Sequence, residues 1–181
     1  LGELDRMVEA GRITGLTLLK LRNLIAAGMT TADMDEIAER EIRALGGTPA
    51  FKGLYGFPAT LCISLNEEIV HGIPSNRPLR EGDLVSIDIG AIVDGFHSDS
   101  AFTVAIGDVP EETQRLIDAT RTALELGIAQ VKPGGRVGGR NGPRGAPSKR
   151  SGRRAQRVCR LPAPLRPANF SSSPWWTRHL S

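Results

Sequence analysis

The most restrictive feature of the sequence is a matched pair of alternating segments around a single turn. From Leu84 to Val93, Val85, Ile87, Ile89, Ala91 and Val93 fall on one side of an extended chain. Ser86, Asp88, Gly90 and Ile92 fall on the other. Asp94-Gly95 interrupts the pattern, and a second alternating segment runs from 96 to about 106. A period of two is the geometry of a half-buried strand, and Asp-Gly supplies the left-handed residues that a tight hairpin turn needs. The chain is therefore predicted to fold around an antiparallel hairpin. Its return strand sets Ser98, Ser100, Phe102 and Val104 on one face and His97, Asp99, Ala101 and Thr103 on the other. Val85, Ile87, Ile89, Phe102 and Val104 mark the side that must be covered. A lone hairpin is marginal in water, so more strands and a covering layer have to come from the flanking sequence.

Upstream, residues 3–26 carry Leu4, Met7, Val8, Ile13, Leu16, Leu19 and Leu24 at loosely helical spacing. This predicts a long amphipathic helix ending before Gly28. Thr30 or Thr31 caps a second helix, with Met34, Ile37, Ala38, Glu41 and Leu45 three and four residues apart and Gly46-Gly47 closing it. Residues 57–64 read as an extended, mostly apolar strand, 65–74 as a turn-rich connection and 79–83 as a turn. A third helix is expected to start near Asp108-Val109-Pro110-Glu111, capped by Asp108, and to stop at Lys132-Pro133-Gly134. The order helix, helix, three strands, helix implies an α+β layer, an antiparallel sheet with covering helices on one face.

Charge divides the chain near residue 138. Residues 1–138 hold all 20 acidic side chains and 13 of the 23 Lys and Arg, a net −7, whereas 139–181 hold ten basic residues and no acid. The whole-chain pI of 9.2 therefore describes the tail and says little about partners of the remainder. Residues 139–181 also contain six prolines, four glycines and both tryptophans without periodicity. They read as a basic Pro/Gly/Arg-rich tail, disordered or out of frame; a basic arm that touches nucleic acid is the alternative. Cys62 and Cys159 form neither a disulfide framework nor a metal-binding pair, which accords with a reducing compartment. No run of 18 apolar residues and no signal-type start is present. The expectation is a soluble cytoplasmic monomer without a membrane partner.

Asp88 and Asp99 are the chemically informative pair. In a hairpin turning at Asp94-Gly95 they share a face, opposite each other or on the near diagonal, with attachment points roughly 4.5–8 Å apart. Two unpaired carboxylates that close repel each other and raise one pKa. A pair of divalent cations would resolve this. The plainer alternative is an open sheet face that carries its acids to water. His71 lies in Ile69-Val70-His71-Gly72-Ile73-Pro74, a constrained loop. Its role is structural unless the loop brings it to the carboxylate face, where an imidazole could serve a substrate carbonyl. His97 lies on the same face as Asp99, nearer the turn.

Three blocks, Cys62 to Pro74, Gly82 to Ala91 and Asp94 to Thr103, together resemble type I methionine aminopeptidase, a two-metal enzyme of the pita-bread fold. Glu9-Ala10-Gly11-Arg12 and Val131-Lys132-Pro133-Gly134 add weaker support. The resemblance covers residues 1–138 and identifies them as the N-terminal part of that catalytic domain. It implies that Asp88 binds one metal, that Asp99 bridges two, and that His71 hydrogen-bonds substrate around the scissile peptide. It further implies a methionine side-chain pocket of Phe51, Leu54, Phe57 and Cys62, with Leu54 standing where tyrosine is usual. The cofactors would be two divalent ions from among Co, Mn, Fe, Zn and Ni. The substrate would be a nascent polypeptide beginning with Met and a small residue, met at the ribosome. The family's other ligands are a histidine and two glutamates, and here no glutamate follows Glu125 and the only later histidine is His179. Alternatives are a non-catalytic binding member of the same fold and an Xaa-Pro-type relative.

Overall fold

The structure is a computed structural model and describes residues 2–134. They fall into two compact units, one through Asp108 and one beginning at Val109. The first unit is built on the predicted hairpin. Strand β3 (Leu84–Val93) pairs with β4 (Phe96–Ala105) from Val93↔Phe96 at the turn to Leu84↔Ala105. Asp94 and Gly95 adopt φ of 47° and 83°, the two left-handed residues that a two-residue turn requires. On its other edge β3 pairs antiparallel with β2 (Leu61–Leu65) and with the short β1 (Thr48–Pro49).

Strand β1 had no periodicity to reveal it, being two residues long. Strand β2 starts at Leu61, not at Phe57 as expected. The amides of Thr60 and Leu61 donate to the Asp35 carboxylate, at 2.9 and 2.7 Å, so the chain enters the sheet there.

Helices α1 (Glu3–Leu24) and α2 (Thr31–Ala44) cover the odd-numbered face of β3. Ile13, Leu21, Met34, Ile42, Leu61, Ile63, Val85, Ile87 and Ile89 form the core. Each such side chain contributes about 1.5–3 kcal/mol on burial. Of the apolar residues expected to form the buried face of α1, only Ile13 does so. Ala10, Ile13, Thr14, Thr17 and Leu21 face the core, while Leu4, Val8 and Leu19 stand 76%, 71% and 57% exposed, with Met7, Leu16 and Leu24 also exposed. The reason is close approach to the hairpin, which favours small residues whose hydroxyls can be satisfied. Thr14 Oγ1 and Ser98 Oγ hydrogen-bond at 2.6 Å, Ser98 Oγ donates to Ala10 O at 2.9 Å, and Thr17 donates to Ile13 O. Ser98→Ala should lower stability by about 1–3 kcal/mol, because two buried groups lose their partner. Urea denaturation against Ser100→Ala, an exposed position of the same strand, checks this; equal midpoints would refute it.

Helix α2 follows expectation, with Thr30 as its cap: Thr30 Oγ1 accepts from Asp33 N, and the Thr30 amide donates to the Asp33 carboxylate. Helix α3 (Glu111–Ala129), in the second unit, starts within the expected segment but differs in its cap and in its end. Its cap is Pro110 without a side-chain bond, so Asp108 does not cap it, and it stops before Lys132-Pro133-Gly134. Pro110 has no N–H and is already extended, and the helix can begin only after it. Among the described residues no helix is long and apolar enough to cross a membrane. The tail expected from 139 onward lies outside the described residues.

Candidate metal centre

The hairpin register decides what the two aspartates can do. Asp88 pairs with Ala101 and Asp99 with Gly90, which makes the aspartates diagonal neighbours on the face turned away from α1 and α2. On the opposite edge Asp88 pairs with Cys62. One row across the sheet therefore reads Cys62, Asp88, Ala101, with Asp99 in the adjoining row beside Gly90. His97 pairs with Ile92 on this face and is exposed.

Crowding acid groups here has a cost. Asp88 is pushed up to about 6, first by burial, then by the charge of Asp99 and a hydrogen bond with it; His71 and the Ile89 amide act the other way. Cys62, 7% exposed, has its thiol pushed up to about 12, chiefly by burial and secondarily by Asp88, Asp99 and Asp35. The thiol is neutral at physiological pH and acts as an apolar wall.

His71 reaches this face through a loop pinned to β2. The residue adopts φ of 60°, a left-handed conformation that costs about 1 kcal/mol or more for a non-glycine residue. Next to it, Gly72 O accepts from Ile63 N at 2.9 Å and Gly72 N donates to Ser64 Oγ at 3.2 Å. A side chain at Gly72 would collide with the Ile63 carbonyl, so only glycine allows this contact. Glu68 braces the loop from below, accepting from Leu65 N at 3.0 Å and from Arg77 at 3.1 Å. Thr31 Oγ1 accepts from Ser75 N and donates to Ser75 O, tying the loop's far end to α2.

Beside the carboxylates lies a small apolar cluster of Phe57, Ala59 and Cys62, with Phe51 packed against it. Three of the four residues expected to line a pocket thus come together. Leu54 does not join them: it is 49% exposed on a one-turn 3₁₀ segment (Leu54–Gly56). Ala59 and Asp35 were not anticipated. Alanine carries no pattern of its own, and Asp35 looks like any polar helix residue until its carboxylate is seen at the start of β2.

Among the described residues no group of three or more His, Cys, Asp or Glu converges to hold a metal ion. The pair that does converge is still suited to one. Two carboxylates sharing a half-buried face, one of them protonated up to about 6, form a deficit of positive charge that a divalent cation would fill.

An antiparallel sheet backed by two helices, with paired aspartates on its open face, defines a unit of the pita-bread metallopeptidase fold. Residues 5–140 match the model of metallopeptidase family M24, and the chain belongs to that family. It is 46% identical over 135 residues to methionine aminopeptidase 1 of Bacillus subtilis, covering 75% of this chain and 54% of that protein. The methionine aminopeptidase structure from Thermotoga maritima superposes with a TM-score of 0.70 at 36% identity, covering 72% of this chain and 53% of that one. Prolidase from Pyrococcus furiosus shares the fold at 22% identity, with a TM-score of 0.62 over 70% of this chain and 36% of that one. The chain spans about half the length of the curated relatives it matches.

Proposed function

We propose that this chain carries the aspartate half of a methionine aminopeptidase site, serving removal of the initiator methionine from nascent polypeptides in the cytoplasm. The observation that supports this reading most is the juxtaposition of Asp88 and Asp99 with the apolar cluster of Phe51, Phe57 and Cys62 on one sheet face. Asp88 and Asp99 would hold divalent metal, of which Co, Mn, Fe, Zn and Ni are the candidates. A bound metal there supplies Lewis acidity and a nucleophile at neutral pH. The chain's own residues do the rest. The carboxylate face attracts the α-ammonium of a free N-terminus. Phe51, Phe57 and Cys62 offer an unbranched thioether side chain a dry, polarisable wall. His71, close enough to Asp88 to act on its charge, presents an imidazole to the carbonyl of the scissile peptide. Leu54 would border this slot from the solvent side. The substrate is Met followed by a small residue, taken as it leaves the ribosome, and the working unit is a monomer.

A second reading, a non-catalytic binding member of the fold, is favoured by the lack of a third converging ligand among the described residues. An Xaa-Pro peptidase is less well supported, since similarity to those proteins is confined to fold. The test is release of methionine from Met-Gly-Met, and of the first residue from an Xaa-Pro peptide, with added Co²⁺ or Mn²⁺. Methionine release that Asp99→Ala abolishes supports the proposal. Metal binding with no release of either residue supports the binding member instead, and Xaa-Pro cleavage overturns both.

A further inference from the structure

We infer that Gly90 is a specificity-determining position: the space left by its missing side chain holds the edge of the Phe51 ring, and this sets the width of the apolar slot beside the aspartates. Glycine inside a central strand weakens it and needs a local reason. Backbone freedom is not that reason, because Gly90 is absent from the residues with left-handed φ. The reason is space. A Cβ at Gly90 would lie 3.2 Å from Phe51 Cε1, 2.9 Å from Ala50 Cβ and 2.6 Å from Ser98 O.

Gly90 pairs with Asp99 and follows Asp88 by two residues on the same face. The ring that fills its space is the one packed against Phe57, Ala59 and Cys62. Phe51 therefore touches both Gly90 and the cluster, and Gly90 decides how close its ring edge can lie to β3. A methyl group at 90 pushes the ring toward Cys62 and narrows the slot. Retreat of the ring widens it to branched side chains. The inference rests on the proposed reading of the slot as the pocket for the substrate's first side chain.

The Cys62 thiol, buried and mostly neutral, reacts slowly through its thiolate, and the ratio of two reagents at one pH cancels that fraction, leaving a gauge of slot width that needs neither metal nor turnover. Alkylthiolation of the full chain by methyl and by benzyl methanethiosulfonate is followed by peptide mapping, which separates Cys62 from Cys159. Gly90→Ala should slow the benzyl reagent about tenfold more than the methyl reagent, the scale of a modest overpacking strain. In a Phe51→Ala background, Gly90→Ala should lose that selective effect. An equal slowing in both backgrounds would show that the contact with the Ser98 backbone, not the ring, is responsible, and no slowing in either would likewise overturn the inference. If Gly90→Ala does not fold, Phe51→Leu carries the test alone: the benzyl reagent should then react faster than with the unaltered chain, and an unchanged rate overturns the inference. Protection of Cys62 by methionine amide is read separately. Its absence counts against the pocket reading and leaves the result at Gly90 standing.

Discussion

Replacing Asp99 with alanine should weaken Mn²⁺ or Co²⁺ binding by at least about 100-fold, since even partners one step removed from a metal are worth roughly 10–100-fold. Two carboxylates converge on the open sheet face, and among the described residues no third His, Cys, Asp or Glu joins them. Half of the charge that could hold a cation therefore resides in one side chain. Asp94, in the turn a few residues away, supplies the control. It is exposed and only loosely paired with Arg6, at 3.9 Å, so Asp94→Ala changes the net charge equally without touching the site. Isothermal titration of the three proteins decides the matter. If Asp94→Ala weakens binding as much as Asp99→Ala does, the affinity belongs to the acidic surface in general and the proposed centre is wrong.

Without metal the same pair is a burden on the fold, and Asp88→Asn should relieve it. Asp88 is raised from its ordinary value to about 6 by burial and by Asp99. A carboxyl whose folded pKa is raised contributes its stability fully below the unfolded value, near 4. That contribution is lost as pH climbs through about 6. The chelated protein should therefore lose on the order of 2 kcal/mol between pH 4 and 7.5 relative to Asp88→Asn, whose side chain cannot ionise. Urea midpoints with excess chelator at the two pH values measure it. At pH 7.5 the variant should be the more stable protein, and the gap should close toward pH 4. A gap that does not change with pH, or one of opposite sign at pH 7.5, would mean that the aspartates do not oppose each other. Divalent metal should erase the advantage by replacing the missing proton with a larger positive charge.

The two results would bear on features of very different legibility. The hairpin could be read directly. A strict period of two on both sides of Asp94-Gly95 places Asp88 and Asp99 on a common face, opposite or on the near diagonal, and the register makes them diagonal. The loop around His71 was legible as constrained but not as aimed. Its direction comes from Gly72 lying against Ile63 and from Glu68 bridging Leu65 and Arg77. Helix α1 is the clearest failure. Leu4, Val8 and Leu19 point away from the sheet while Ile13 and Leu21 face it beside Ala10, Thr14 and Thr17, and Thr14 meets a serine on a distant strand. Ser98 lies 84 residues from Thr14, and hydrophobicity within the helix cannot report a hydrogen bond made across the fold.

What the sequence by itself determined was local: strand periods, the left-handed turn, and therefore a common face for the two aspartates, while the register that makes them diagonal came from the structure. Each depends on residues a few positions apart, whose geometry the backbone imposes. What only the tertiary structure decided was which side chains meet across the sheet. Phe51 lies against Gly90, Cys62 stands opposite Asp88, Asp35 receives the start of β2, and Leu54 is left in solvent. Those contacts depend on how closely packed elements approach, a matter of fractions of an ångström summed over the whole core.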